Sequence, residues 1–170
     1  MEMTTPDARS VEPQVGGGRG PRQVDAAWRT HGPAVARFAT ALVGPHDAHD
    51  VATNAFLRIV RQAGWTEIEH LDRYWMRAVR NEAQNLARER RRRWQRDLQA
   101  VAASSTTDAV ADPDVIRAIA ALSVQQRAVV FLDYWQQMTE AEIAETLDLT
   151  RSTVHRTLIR ARIHLRKALT

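Results

Sequence analysis

The residues of this chain best placed to do chemistry are arginines, and they stand in two runs. From Arg151 to the C-terminus every charged side chain is Arg or Lys. In that run Arg151, Ser152, Thr153, His155, Arg156 and Arg160 combine cations with hydroxyl and imidazole groups. Guanidinium groups grip phosphates and guanine edges, and the smaller polar groups meet base edges or backbone oxygens. The second run is Arg88-Glu89-Arg90-Arg91-Arg92-Arg93-Trp94-Gln95-Arg96, preceded by Arg77, Asn81 and Asn85. An Asn side chain both donates to and accepts from a base edge. Repulsion among neighbouring arginines opposes helix formation unless an anion is near. Nucleic acid supplies that anion, against the plainer reading of a solvated basic face. All of this is binding chemistry. No nucleophile–base set emerges, so the chain reads as no enzyme. His46 and His49, spaced i and i+3 beside Asp47 and Asp50, are the nearest approach to a metal site. Aspartates at a helix start are already explained by capping and the helix dipole, so neither metal nor cofactor is expected.

These residues need helices to carry them. Thr139 and Glu142 form the pattern of a capping box, and Ile143, Ala144 and Leu147 give the helix that follows an apolar side. Asp148 and Leu149 break the pattern. Thr150 can cap a second helix whose apolar stripe is Val154, Leu158, Ala161 and Leu165. Ser152, Arg156, Ile159, Arg160 and Ile163 then lie opposite that stripe. Two short helices about a tight turn, the second basic, suit the major groove of DNA. Further back, Asp72 to about Arg96 forms a long helix with Trp75, Val79, Ala83 and Leu86 on its buried stripe. Arg77, Asn81, Asn85, Arg88 and Arg92 fall on its far side.

The remaining segments also read as helical. Val24, Ala27 and Trp28 suggest a first helix, interrupted at Gly32-Pro33 and followed by another over 34–43. From 47 to 62, Ala48, Val51, Ala55 and Ile59 share one face. Phe56 and Val60 sit on a different one, near Leu57 and Arg58, so this helix is either sandwiched in a core or docks a partner. The loop 64–71 holds Trp65, which is either tucked inward or free to stack on an unpaired base. Pro113 opens a helix running to Leu122, and Ser123 caps the next, running to about Gln136. No segment shows strand alternation, so the fold class is all-α. Residues 1–22, with three prolines and a glycine run, read as a disordered tail. Residues 97–112 read as a flexible linker between two small helical domains, 23–96 and 113–170.

Composition agrees with a globular chain. It has 170 residues, 44% hydrophobic and 26% charged, with a net charge of +4. The basic residues are clustered, and clustering favours polyanions more than the modest sum does. There are no cysteines, which removes disulfides and thiolate chemistry. No apolar run approaches a membrane span and no signal core opens the chain, so a soluble cytoplasmic protein is expected.

Two basic helices in this order, one in each small domain, resemble the bacterial sigma factors of the extracytoplasmic-function (ECF) group. AHDVATNAFLRIVR at 48–61 looks like that family's polymerase-binding helix. YWMRAVRNEAQNLARERRRR at 74–93 looks like its −10 recognition helix, and 122–169 looks like its −35 domain. The resemblance implies a sigma2-like and a sigma4-like domain and a partner in core RNA polymerase, through its flap and the clamp helices of its largest subunit. Asp50, Asn54, Phe56, Leu57 and Arg58 would meet those clamp helices. Asn81 and Asn85 match positions near the −10 bases, with Arg77 beside them. The 64–71 loop, Trp65 included, would hold an unstacked base, and Arg88, Arg91 and Arg92 would track the adjoining phosphates. Arg151, Ser152, Thr153, His155, Arg156 and Arg160 would face the −35 element. An anti-sigma factor is a further partner the family implies. The family usually has Gly where Asp148 stands, but Asp tolerates the left-handed backbone a turn needs. The C-terminal unit alone is also similar to LuxR-type regulators. That alternative needs an N-terminal sensing domain, and residues 24–96 show no βαβ pattern. A helical adaptor with basic surfaces is the third reading, distinguished by weak salt dependence.

Overall fold

The structure, a computed structural model, describes residues 20–97 and 113–169. Those residues contain seven α-helices and one 3-10 turn, and no strand. The all-α class is as read from the sequence. In chain order the helices are α1 Pro21–Val43, α2 Pro45–Val60, α3 Leu71–Asp97, α4 Pro113–Ala120, α5 Val124–Tyr134, α6 Glu140–Leu147 and α7 Arg151–Ala168, with the 3-10 turn at Trp65–Glu67. The expected disordered tail and flexible linker lie outside the described residues, apart from their ends at Gly20–Arg22 and Asp97.

The first helix corrects an expectation. Gly32-Pro33 does not interrupt it; α1 runs through, with Pro33 inside. The reason is phase. Trp28 and Val35 are seven residues apart, so the apolar stripe keeps one face across the break. The missing side chain at Gly32 matters too, because a Cβ there would sit 3.4 Å from the Trp28 ring. Pro33 is exposed, so the proline ring does not disturb the core. Pro21 also starts the helix earlier than Val24, occupying the first turn where its missing N–H costs least.

α1, α2 and α3 pack around four aromatic rings. Phe56 stacks on Trp75 at 4.3 Å between centroids, and Trp28 meets both edge-on or tilted at 5.4 and 5.2 Å. Trp65 from the 3-10 turn closes the cluster against Phe56 at 6.2 Å. The Trp75 indole N–H donates to the Ala52 carbonyl oxygen at 3.0 Å, tying α3 to α2 while satisfying a buried donor. Val129, Leu132, Ile143, Leu147, Val154 and Leu158 make the buried centre of α5, α6 and α7. The two centres are continuous, since α1 packs on α5 and α3 packs on both α5 and α6.

The caps fall where the sequence places them. Ser123 and Gln126 form one capping box and Thr139 and Glu142 another. Thr150 accepts from the Thr153 N–H at 3.2 Å. Asp148 takes φ 53°, ψ 56°, the left-handed conformation that turns the chain from α6 into α7.

Candidate nucleic-acid interface

On α7 the apolar stripe is buried, with Val154, Leu158 and Ala161 against α5 and α6. That burial turns the opposite side outward. Arg151, Ser152, His155, Arg156 and Arg160 are all exposed at or near its N-terminal half. The Arg156 Nε donates to the Ser152 carbonyl oxygen at 3.2 Å, which leaves its terminal nitrogens for an outside acceptor. Thr153 is half-buried and spends its hydroxyl on Thr150 at 2.8 Å, so its role is to fix the helix start. The His155 Nδ1 lies 2.9 Å from Glu140 Oε1, and Arg151 Nε lies 3.8 Å from Glu140 Oε2. One carboxylate of α6 thus orients two side chains at the mouth of α7. Ile159 and Ile163 are exposed on the same side, at 43% and 60%.

On α3 the far side carries Asn81, Asn85, Arg88, Arg91 and Arg92, all exposed. Arg88 donates to Asn85 Oδ1 at 3.3 Å, and the Arg92 Nε donates to the Arg88 carbonyl oxygen at 3.4 Å. The arginine run is partly neutralised from within the chain. Both oxygens of Asp47 accept from Arg90 at 2.7 Å, and Arg93 pairs with Glu89 at 2.5 Å. Two carboxylates therefore relieve the repulsion that the run implies, and the helix continues to Asp97. Asp47, beside the His46 and His49 pair, is held by that arginine.

Arg77 is half-buried, with its guanidinium carbon 4.8 Å from the Tyr74 ring centroid, a cation–π distance. Between α2 and α3 a cleft of about 140 Å³ is lined in part by Arg58, Gln62, Tyr74, Arg77 and Asn81. The Tyr74 hydroxyl donates to Gln62 Oε1 at 3.1 Å across it. Sequence reading passed over Tyr74 and Gln62. Tyr74 was findable, because 74, 77 and 81 share one helical face. Gln62 becomes relevant only once α2 lies beside α3.

Two expected site residues are buried. Trp65 is 3% exposed and packed on Phe56, so its ring is core and unavailable for stacking on a base. Phe56 is 2% exposed and stacked on Trp75, so it does not line a docking face. Asp50, Asn54, Leu57 and Arg58 do stand outside on α2, with Leu57 40% exposed. Arg58 pairs with Glu82 of α3 at 3.0 Å.

Residues 114–165 match the family described as Sigma-70, region 4. A sigma-E factor of RNA polymerase from Streptomyces avermitilis is 32% identical over 152 residues, covering 83% of this chain and 82% of that protein. This chain belongs to the ECF sigma factors. The sigma factor RpoE of Bartonella quintana, solved in complex with the anti-sigma factor NepR, shares the fold. Its TM-score is 0.68 at 22% identity, covering 87% of this chain and 97% of that one. Sigma factors are transcription initiation factors that work with core RNA polymerase and promoter DNA, and they are not enzymes. In this sigma factor the matched segment carries α7 as far as residue 165, and the second basic helix, α3, lies outside it. No helix among the described residues is long and apolar enough to cross a membrane.

Proposed function

We propose that this sigma factor reads promoter DNA with two helices, α3 on the −10 element and α7 on the −35 element. The observation that carries the reading is the pair of outward basic faces on α3 and α7 in a chain of this family. Asn81 and Asn85 meet −10 bases, and Arg88, Arg91 and Arg92 track the adjoining phosphates. With Trp65 buried, the cleft beside Tyr74, Arg77 and Asn81 is the place for an unstacked base, held by an aromatic face and two polar side chains. Arg151, Ser152, His155, Arg156 and Arg160 face the −35 element, and Thr153 holds the helix start in register.

The exposed face of α2, with Asp50, Asn54, Leu57 and Arg58, takes the clamp helices of the largest polymerase subunit, and the C-terminal unit takes the flap. Functional units then run over 23–96 and 113–170, joined by 97–112. The protein works in the cytoplasm. Because the related RpoE was solved bound to an anti-sigma factor, a protein of that kind is a partner to expect here. The LuxR-type alternative is not favoured, since α1 to α3 form a helical unit with its own basic face.

The test separates polymerase binding from promoter opening. With reconstituted polymerase, Asn81→Ala and Asn85→Ala lower open-complex formation by about tenfold, taking ~1–3 kcal/mol per base contact, and leave polymerase association unchanged. Loss of association in these variants would instead place α3 on the polymerase.

A further inference from the structure

The outward face of α7 is rich in donors and poor in acceptors. Arg151, Arg156 and Arg160 only donate. From Arg151 on the chain holds no carboxylate side chain and no Asn or Gln. Thr153 shares its hydroxyl with Thr150 at 2.8 Å, and Thr157 donates its own to the Thr153 carbonyl oxygen at 2.7 Å. Among the described residues of that face, the Ser152 hydroxyl and the His155 imidazole remain able to accept from a base. Which imidazole nitrogen accepts depends on where the proton sits. Glu140 of α6 decides it. Its Oε1 lies 2.9 Å from His155 Nδ1, and an ionised carboxylate only accepts, so Nδ1 carries a proton and donates. Arg151 holds the same carboxylate from its other oxygen, with Nε 3.8 Å from Oε2. The opposite edge of the ring, with Nε2, belongs to a side chain that is 57% exposed. One turn further on stands Ile159, 43% exposed. An isoleucine in that row suits base edges and thymine methyls, and has nothing to offer a phosphate.

We propose that His155 is a specificity-determining residue: its bare Nε2 accepts from an exocyclic amine, adenine N6 or cytosine N4, and Glu140 is the positioning residue that keeps the ring in this tautomer. The inference rests on the reading of α7 as the −35 helix. In the major groove adenine and cytosine present an amino donor, guanine presents two acceptors, and thymine presents an acceptor and a methyl group. A bare Nε2 therefore selects against guanine O6 and thymine O4, because acceptor would meet acceptor. An arginine at this position would only donate and would choose guanine instead. The role of one ring nitrogen is set by the hydrogen bond that the other makes, so the choice of base is fixed from α6, by a residue that itself need not touch DNA. The face of α7 then reads both signs, acceptors through Arg156 and Arg160 and one amine through His155.

Two measurements on the full chain test this. Heteronuclear NMR of the imidazole nitrogens at mildly alkaline pH shows where the proton sits, the His155 signals being those lost in His155→Gln. Wild type shows Nδ1–H with a bare Nε2, and Glu140→Ala moves the ring toward Nε2–H. A proton on Nε2 in wild type, or a ring indifferent to Glu140→Ala, overturns the proposal. Promoter binding with bacterial core RNA polymerase, on templates randomised over the −35 block, reads the consequence. Wild type favours adenine or cytosine at one position by about fivefold, the worth of one net hydrogen bond. His155→Ala flattens that position alone, His155→Arg turns it to guanine, and Glu140→Ala weakens the amine preference while the rest of the block stays. Guanine at that position in wild type, or a block that Arg156→Ala changes and His155→Ala does not, overturns the proposal and leaves the −35 reading in place. Templates on which neither Arg156→Ala nor His155→Ala changes any position remove the −35 reading and this inference with it.

Discussion

Arg156 presents its terminal nitrogens outward from α7, with its Nε already fixed on the Ser152 carbonyl. A guanidinium held this way is set for two parallel hydrogen bonds to one base or phosphate. Arg156→Ala should lower −35-dependent transcription by about tenfold, since such contacts are worth ~1–3 kcal/mol; unchanged promoter output would remove the residue from the site. Arg91→Ala should act differently, weakening DNA binding evenly across sequences and reducing the salt slope by about 1. Phe56 belongs to stability. Phe56→Ala should cost ~3–5 kcal/mol in chemical denaturation, whereas unchanged stability with lost polymerase association would return the ring to the docking face. The sequence left the burial of Phe56 and Trp65 open between two readings for a physical reason. Trp28, Phe56, Trp65 and Trp75 come from four separate segments, and only their packing together shows which rings close the cluster. The exposure of Arg156 and Arg160 was legible, because a 3.6-residue period with Val154, Leu158 and Ala161 inward leaves them no other side.

The elements were the most legible layer, because each carries its own start signal. Thr139 with Glu142 and Ser123 with Gln126 announce helices whose boxes are fully made. The failure at Gly32-Pro33 is instructive. Local breaker chemistry argued for two helices, and a stripe in phase on both sides argued for one. Burial of that stripe outweighs one lost backbone hydrogen bond. The α6 cap also makes a pH prediction. The Glu142 carboxylate accepts from the Thr139 N–H and hydroxyl at 2.8 Å each, which holds its pKa below the ordinary 4.5. A carboxylate depressed in the fold stabilises it fully above the unfolded value and loses that contribution as pH falls through the folded value. Acid should therefore loosen α6 only below about pH 4.5, followed by helical circular dichroism. Thr139→Ala should cost about 1 kcal/mol at neutral pH and flatten that acid dependence. An unaltered acid profile would mean that the cap does not couple to Glu142.

For the whole molecule, sequence patterning separates what is local from what is assembled. Helical class, the turn at Asp148 and both basic faces follow from periodicity and capping. The packing of α3 on α5 and α6 does not, because Arg73 and Arg80 look like any solvated arginines until the acidic side of α6 and its last carbonyl stand opposite them. The arginine column of α3 is accordingly divided, its first half turned to α6 and its second half exposed. The central claim is that this chain directs polymerase to promoters through α3 and α7. Its most direct test is run-off transcription by core RNA polymerase with the purified chain on a randomised promoter library. The account predicts stable association with core enzyme and transcripts whose templates share two conserved blocks, one lost with Arg156→Ala and the other with Asn81→Ala and Asn85→Ala. No association with core enzyme, together with specific duplex binding by the isolated chain, would contradict it.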